Sequence, residues 1–287
     1  MIRDRLRLAV PNKGRLVEPT LALLHDTGLV FDEHDRTLVA RVQNFDLDIL
    51  FVRTSDVVEF VGDGVADLGI TGRDLLAETG SALPIERSLG YGRCRLAVAV
   101  PGDAPYQTVE ELAGLRVATA HPNVARAFFR EQGVPVEVIA LSGAVEVAPR
   151  LGLAEAIVDL VSTGSTLVMN GLRAIADVLA SEAVLVANRS ATTGRADDLT
   201  AIDTMIGAVI AARDRKYLMM NAAAERLKDL EELLPGLESP SVIPLAHRGM
   251  IAIHSVVGSD EVWGLLPRLK AAGASGILVL PIEKILA

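Results

Sequence analysis

Short runs of branched apolar residues alternate with helix-periodic segments along most of the chain, and this alternation limits the fold more than any other feature. Residues 6–10 form such a run, and a helical pattern follows from Arg15 to Thr27, ending before Gly28. Strands that alternate with helices predict sheets covered by helices. Only 3% of the residues are aromatic, so Val, Leu, Ile and Ala must fill the cores, which suits parallel sheets. The sequence therefore predicts an α/β fold.

The length of 287 residues predicts two or three domains. A second α/β unit is expected to begin near Arg93, where a new strand precedes Pro101-Gly102. The last section has the order β-α-β-β-α-β, which is typical of a ferredoxin-like domain. Its strands are predicted at residues 217–220, 241–245, 250–257 and 276–282, and its helices at 222–234, stopping at Pro235-Gly236, and 260–272.

Charge and composition exclude several classes of protein. The net charge of −9 gives no basic footprint for nucleic acid. No apolar run reaches the roughly 20 residues that span a bilayer, and residues 1–10 lack the pattern of a signal peptide. A single cysteine, Cys94, cannot form an internal disulfide, which fits a reducing compartment. We therefore expect a cytoplasmic protein that binds neither nucleic acid nor membrane.

Two segments share the pattern D-L-x-x-T-G-x-x-L, residues 66–75 and residues 158–167. Each is predicted where a strand gives way to a helix, which indicates two lobes of similar topology; chance is the alternative. The second copy offers hydroxyls and a glycine at a helix start, a favourable place for phosphate, with Asp159 available for sugar hydroxyls. A hydroxyl-capped helix with Asp159 as a turn residue is an equal interpretation. The loop comprises Ser162, Thr163, Gly164, Ser165 and Thr166.

The first copy of the pattern carries acidic side chains instead. Asp74 follows Gly72 at the expected start of a helix, and Asp67 stands at the start of the strand. A carboxylate there can accept a hydroxyl or, through water, hold Mg²⁺. Surface charge at a helix start is the plainer interpretation of Asp74.

Cationic side chains follow two predicted strands of the first unit. Lys13 and Arg15 flank Gly14 directly after the first strand, and open α/β sheets bind ligands at such strand ends. Positive charge at a helix start opposes the helix dipole, so an anionic ligand would remove a conflict. Arg53 follows the strand at 47–52; it is either a phosphate clamp or the partner of Asp56.

The segment 90–95 (GYGRCR) marks the junction between the units. Its glycines indicate a hinge first, and its Tyr91 a ligand contact second. No Ser-His-Asp, Cys-His or paired-His signature stands out, and the five histidines are dispersed. Glu146 and Glu155 are candidate acids or bases, but the favoured interpretation gives them loop and helix-start roles. The lack of a nucleophile suits chemistry driven by positioning and charge stabilisation.

The centre of the chain resembles the signature of the ATP phosphoribosyltransferase family. That signature covers Glu146-Val-Ala-Pro149, the stretch GLAEAIVDLVSTGSTL at residues 152–167, and Asn170. The resemblance extends over essentially the whole chain, through residues 11–16 (PNKGRL), 52–56 (VRTSD), 64–72 (GVADLGITG), 90–95, 219–221, 233–237, 261–263 and 281–285. The C-terminal section resembles the long form of the family, whereas the short form depends on a separate regulatory subunit.

The resemblance implies a fold of three parts. Two α/β lobes like those of type II periplasmic binding proteins would comprise residues 1–92 with 185–205, and residues 93–184. A ferredoxin-like regulatory domain would comprise residues 206–287. The implied reaction joins the phosphoribosyl group of phosphoribosyl pyrophosphate to N1 of ATP, as the first step of histidine biosynthesis. It requires Mg²⁺, is inhibited by histidine, and is carried out by dimers that assemble into hexamers.

The resemblance also implies roles for the candidate residues. The loop at 162–166 would hold the 5′-phosphate and Asp159 the ribose hydroxyls. The remaining candidates are Lys13, Arg15 and Arg53 for the leaving pyrophosphate or the phosphates of ATP, and Gly72 and Tyr91 for substrate. The resemblance does not place the ligands of Mg²⁺: Asp67 and Asp74 are one choice, and the phosphates of the substrates are the other.

Three other functions share parts of this pattern. A solute-binding protein would have the same two lobes, but a signal peptide is expected for it. An amino-acid-sensing regulator would need a DNA-binding helix-turn-helix, which is not recognisable. The usual phosphoribosyltransferase fold carries adjacent acidic residues before its phosphate loop, whereas Asp159 is followed here by Leu160.

Overall fold

The computed structural model describes residues 5–32, 38–188, 194–234 and 239–286. The chain divides into two compact units, residues 1–199 and residues 200–287. The helix stop predicted at Pro235-Gly236 lies outside the described residues.

Strands and helices alternate along the first unit as the apolar pattern predicts. They are β1 (Leu6–Pro11), α1 (Val17–Asp26), β2 (Val39–Arg41), β3 (Leu47–Val52), α2 (Val57–Gly62), β4 (Leu68–Gly72), α3 (Arg73–Thr79), β5 (Ile85–Ser88), β6 (Cys94–Pro101), β7 (Arg116–Thr119), α4 (Pro122–Glu131), β8 (Glu137–Ala140), β9 (Ala156–Val161), α5 (Ser165–Met169), β10 (Leu172–Ser181) and β11 (Ala183–Ala187). The next helix, α6 (Ala196–Arg213), begins in the first unit and continues into the second.

The first lobe is built on a six-stranded mixed sheet with the strand order β2-β3-β1-β4-β11-β5. Strands β3, β1 and β4 run parallel, while β11 is antiparallel to β4. Because parallel strands end at the same edge of a sheet, the segments that follow β1, β3 and β4 share one edge. The candidate cations and Gly72 therefore belong to a single edge of this lobe.

The second lobe is a five-stranded sheet with the order β10-β6-β9-β7-β8. Strands β8, β7 and β9 are parallel, and β6 pairs antiparallel with β9 and β10. Leu96, Val98 and Val100 of β6 pack into one apolar cluster, and the alternate residues Ala97 and Ala99 pack into another. Both faces of β6 are thus buried, which explains its continuous apolar run.

The chain crosses between the lobes twice, as in type II periplasmic binding proteins. It leaves the first sheet after β5 and enters the second at β6, and it returns at Glu182, between β10 and β11. The expected return at Leu185 lies slightly too late, because Leu185 is already paired with Ile70 in the first sheet. Nothing in the apolar pattern separates β10 from β11, since only Glu182 stands between them.

The second unit is a ferredoxin-like domain. Its elements are β12 (Arg215–Ala223), α7 (Leu227–Glu231), β13 (Ser241–Pro244), β14 (Met250–Gly258), α8 (Val262–Ala271) and β15 (Ser275–Pro281). The sheet order β13-β14-β12-β15 is antiparallel throughout. Leu218, Met220 and Ile253 pack with Leu230 of α7 and Leu269 of α8 in one core. The predicted β-α-β-β-α-β order is confirmed, with the first helix shorter than expected because β12 continues to Ala223.

Candidate active site

A cationic loop lies at the carboxyl edge of the first lobe. It follows β1, where the Asn12 amide donates to the Val52 carbonyl at 2.8 Å and so ties the loop to the end of β3. Gly14 has φ +91°, a backbone conformation that glycine adopts without strain. Lys13 and Arg15 are exposed on either side of it. The loop borders an open depression of about 390 Å³, which is lined by residues 12–15 together with Val17 and the acidic Glu18.

Arg15 and Arg53 differ in how firmly they are held. The guanidinium of Arg15 donates to the Gly92 carbonyl and to Cys94 Sγ, both at 2.9 Å, so it rests against the junction between the lobes. Arg53 is exposed and makes no ion pair with Asp56 in the described part of the chain. Asp56 accepts instead from the hydroxyl of Ser55 at 2.7 Å. The Asp56 amide donates to the Arg53 carbonyl at 2.9 Å, so the local contact between the two residues is a backbone hydrogen bond, and the role of Arg53 as a phosphate clamp stays a prediction.

The hydroxyl loop lies at the carboxyl edge of the second lobe, between β9 and α5. Ser162, Thr163, Ser165 and Thr166 are exposed around Gly164, which has φ +81° and precedes the first helical residue. Thr163 and Ser165 share a hydroxyl–hydroxyl bond of 2.9 Å. No carboxylate lies within this loop. Hydroxyls and backbone N–H groups at the start of a helix form a site that favours an anionic group such as phosphate.

Asp159 is half-buried within β9, just before the hydroxyl loop. Burial raises the pKa of its carboxyl, and the negative charge of Glu146 raises it further; a bond from the Leu160 amide and the nearby His121 act in the opposite direction. Oδ1 accepts from that amide at 2.8 Å. A partly desolvated carboxylate at a strand end is a strong acceptor for sugar hydroxyls.

His121 is a residue whose importance the sequence did not reveal. It is 5% exposed and lies between β7 and α4, at the same edge as the hydroxyl loop. Nε2 is 3.3 Å from Oδ2 of Asp74, which belongs to the first lobe. Nδ1 has no hydrogen-bond partner among the described residues. The only sequence signal was that His121 directly precedes the helix-starting Pro122.

Asp74 joins the two lobes through its buried carboxylate. Besides His121, it accepts a hydrogen bond from the hydroxyl of Ser181, the last residue of β10. Burial raises the pKa of the Asp74 carboxyl, but the bonds from His121 and Ser181 and the nearby imidazole lower it more, so the pKa lies below its ordinary value. Because Asp74 follows β4 and His121 follows β7, this contact brings the carboxyl edges of the two sheets together.

Gly72 and Tyr91 have structural roles that the sequence did not indicate. Gly72 is buried, and a Cβ there would lie 2.2 Å from Oδ1 of Asp74, so the glycine makes room for that carboxylate. The Tyr91 hydroxyl bonds the hydroxyl of Thr20 in α1 at 2.7 Å and anchors the junction to the first lobe. A direct contact of either residue with substrate stays a prediction.

The two carboxylates expected to bind Mg²⁺ do not form one site. Asp67 precedes β4 and accepts from the Arg7 amide at 2.8 Å, whereas Asp74 lies beyond the other end of that strand. Both carboxylates already have protein partners. The described residues contain no group of three or more His, Cys, Asp or Glu side chains that could hold a metal ion. Asp67 and Asp74 therefore do not share a metal site, and a role of either carboxylate in binding Mg²⁺ stays a prediction.

The fold and the site together define a class of protein: a two-lobed α/β protein with exposed cations at the carboxyl edge of one lobe and exposed hydroxyls at the carboxyl edge of the other. Among the described residues, no helix is long and apolar enough to cross a membrane. Residues 53–209 match the family described as ATP phosphoribosyltransferase (HisG), and residues 212–284 match the HisG C-terminal domain. The chain belongs to the ATP phosphoribosyltransferase family, in its long form, and is a pentosyltransferase.

Individual relatives agree with this assignment. The ATP phosphoribosyltransferase of Gemmatimonas aurantiaca is 44% identical over 291 residues, with 98% of this chain and 99% of the relative covered. That of Phocaeicola vulgatus is 41% identical over 281 residues with the same coverage. A solved structure, the ATP phosphoribosyl transferase (HisG:HisZ) complex from Thermotoga maritima, is similar at 30% identity and a TM-score of 0.63. The match covers 72% of this chain and 98% of that one.

Proposed function

We propose that this enzyme transfers the 5-phosphoribosyl group of phosphoribosyl pyrophosphate to N1 of the adenine ring of ATP, which releases pyrophosphate and opens histidine biosynthesis. One observation carries the proposal. A loop with exposed cations and a loop with exposed hydroxyls lie at carboxyl edges of two sheets, and the Asp74–His121 contact brings those edges together. Phosphoribosyl pyrophosphate carries a phosphate at one end, which suits the loop with hydroxyls, and a pyrophosphate at the other end, which suits the loop with cations.

The chemistry divides between the lobes. Ser162 to Thr166 hold the 5′-phosphate through hydroxyls and backbone N–H groups, and Asp159 accepts hydrogen bonds from the ribose hydroxyls. The lone pair of adenine N1 forms the bond to the anomeric carbon while the bond to the pyrophosphate oxygen breaks. The electrons of that bond leave with pyrophosphate, so charge develops where Lys13, Arg15 and Arg53 can stabilise it.

No protein nucleophile is needed, because the sugar carries the positive charge as the leaving group departs. Positioning of two bound reactants accounts for the acceleration. Mg²⁺ would be held mainly by phosphate oxygens of the substrates and would offset their negative charge, since the described residues contain no group of three or more His, Cys, Asp or Glu side chains that could hold a metal ion. We place the reaction in the cytoplasm, a reducing compartment that suits the free Cys94.

The ferredoxin-like unit is proposed to regulate this reaction. The family resemblance assigns it the binding of histidine and a shift between dimers and hexamers, and a separate folded unit is available for that purpose. A ligand can shift such an equilibrium only by binding one assembly better than the other. Histidine should therefore change both the rate and the assembly.

The test is formation of phosphoribosyl-ATP from ATP, phosphoribosyl pyrophosphate and Mg²⁺, with and without histidine, alongside light scattering to follow assembly. Turnover that histidine suppresses supports both parts of the proposal. Turnover that histidine leaves unchanged removes the regulatory role and keeps the reaction. A folded protein that binds phosphoribosyl pyrophosphate without turnover would overturn the reaction and favour a binding protein.

A further inference from the structure

Helix α3 of the first lobe contacts the second lobe at two places one turn apart. Besides Asp74, it presents Glu78, whose carboxylate accepts hydrogen bonds from the backbone amides of Asn123 and Val124, both at 3.0 Å. The side-chain amide of Asn123 donates back to the Glu78 carbonyl at 3.0 Å. Asn123 and Val124 belong to the first turn of α4. Three hydrogen-bonding groups of that turn are therefore satisfied from the other lobe.

Helix α4 cannot provide this cap itself. It begins at Pro122, and the residue before it, His121, makes no side-chain cap bond. The first turn of a helix leaves N–H groups without intrahelical partners and carries the positive end of the helix dipole. A carboxylate at such an end accepts hydrogen bonds from these N–H groups and is stabilised by the dipole. Because the carboxylate of Glu78 comes from α3, capping of α4 depends on how the lobes are placed.

The contact between Asp74 and His121 reinforces this dependence. Asp74 is 3% exposed and His121 5%, and Ser181 donates to the same carboxylate. The Ser181 oxygen also accepts from the Asp74 amide at 3.0 Å. A buried carboxylate without these partners would be costly. Separating α3 from α4 would break the contacts of both carboxylates with the second lobe and leave the first turn of α4 uncapped.

We propose that α3 is a clasp between the lobes, and that Glu78 and His121 are positioning residues for the transfer reaction. The inference rests on the proposed function, in which each lobe holds one part of the substrates. Helix α3 begins where β4 ends, and α4 begins just after β7, so the clasp fixes the two carboxyl edges relative to each other. Neither residue belongs to the cationic loop or to the hydroxyl loop. Glu78 and His121 act on the reaction by fixing the distance between the groups that are bound at the two carboxyl edges.

The decisive variant is Glu78→Ala in the full-length chain. We expect kcat to fall roughly ten- to hundredfold, because small misplacements of reactants have effects of that size. Inorganic pyrophosphate and ribose 5-phosphate, each bound by one lobe, should keep their dissociation constants in calorimetric titrations. Glu78→Gln retains one acceptor oxygen and should recover part of the rate. Glu131→Ala, an exposed acid at the other end of α4, should leave the rate unchanged.

A second measurement does not depend on activity. Amide hydrogen exchange of residues 123–124 should accelerate in Glu78→Ala while the strands of both sheets stay protected. Faster exchange with an unchanged kcat would overturn the positioning role, and unchanged exchange would overturn the clasp itself. If the wild-type chain shows no turnover, the proposed function fails, while exchange still decides whether the clasp exists.

His121→Phe, which keeps the ring volume and removes the bond to Asp74, should repeat the loss of kcat.

Discussion

Stability and function are opposed in the side chain of Asp159. Its carboxylate is half-buried, and the nearby negative charge of Glu146 repels it. Burial and this repulsion raise its pKa above the ordinary value of 3.8. A folded-state pKa above the unfolded value means that ionisation weakens the fold, so the free energy of unfolding falls as the pH rises through this range. A residue kept at such a cost is expected to serve the reaction.

We therefore predict that Asp159→Asn has effects of opposite sign on turnover and on stability. Turnover should fall about a hundredfold, because the amide replaces a charged acceptor of the ribose hydroxyls by a weaker one. The urea midpoint at pH 7 should rise slightly, since the destabilising charge is gone. Steady-state rates and urea titrations of the same preparations check both. Retention of normal turnover would remove Asp159 from the site.

Strand β10 is a long element that the sequence analysis did not predict. It is ten residues long, yet its burial does not alternate, because its pairing with β6 shifts register between Ala174 and Ala176 and again between Asp177 and Leu179. Each shift turns the following side chains to the opposite face. A period of two residues never persists long enough to identify the strand. Only the partner strand β6 defines its course.

The hairpin of β2 and β3 depends on one side chain from outside it. Arg5, directly before β1, donates to the carboxylates of Asp46 and Asp48, each at 2.9 Å. Its other nitrogen donates to the backbone carbonyls of Val42, Phe45 and Leu47. Five hydrogen bonds from a guanidinium that is 16% exposed hold the connection between these strands.

Replacement of this guanidinium should weaken the first lobe. We predict that Arg5→Met lowers the free energy of unfolding by about 2–3 kcal/mol, because carbonyl groups and carboxylates lose a charged donor. Urea unfolding followed by circular dichroism gives the value. Arg41→Ala serves as the matched control, since Arg41 is an exposed cation of the same hairpin and should change stability little. Equal effects of the two substitutions would refute the role of Arg5.

At the scale of the whole molecule, two lobes and a ferredoxin-like unit are assembled from one chain. The lobes are joined by the two crossings and by the buried group of Asp74, His121 and Ser181. The pKa of Asp74 lies below 3.8 because its hydrogen bonds and the imidazole outweigh burial. A lowered pKa means that the stabilisation is complete above the unfolded pKa and is lost as the pH falls through the folded value.

Asp74→Asn should therefore destabilise the protein in a pH-dependent manner. We predict a loss of about 1–3 kcal/mol in the free energy of unfolding at pH 7, and a smaller difference from the wild type at pH values below 3.8. Urea titrations across this range measure the difference. Asp103→Asn, at an exposed position after β6, is the control and should follow the wild type. A difference that stays constant with pH would contradict the assignment of the low pKa to this contact.

The sequence by itself determined the alternation of elements, the α/β class, the ferredoxin-like order of the last unit and the loops after β1, β3 and β9. These features are local, because they depend on residue periodicity and on glycines at strand ends. The tertiary structure decided which strand ends meet. It placed Asp67 before β4 and Asp74 beyond the other end of that strand. Asp159, the counterpart of Asp67 in the repeated pattern, lies instead within β9. It also buried His121 against the other lobe. The sequence did not predict this contact, because contacts between residues 47 positions apart leave no periodic trace in the sequence.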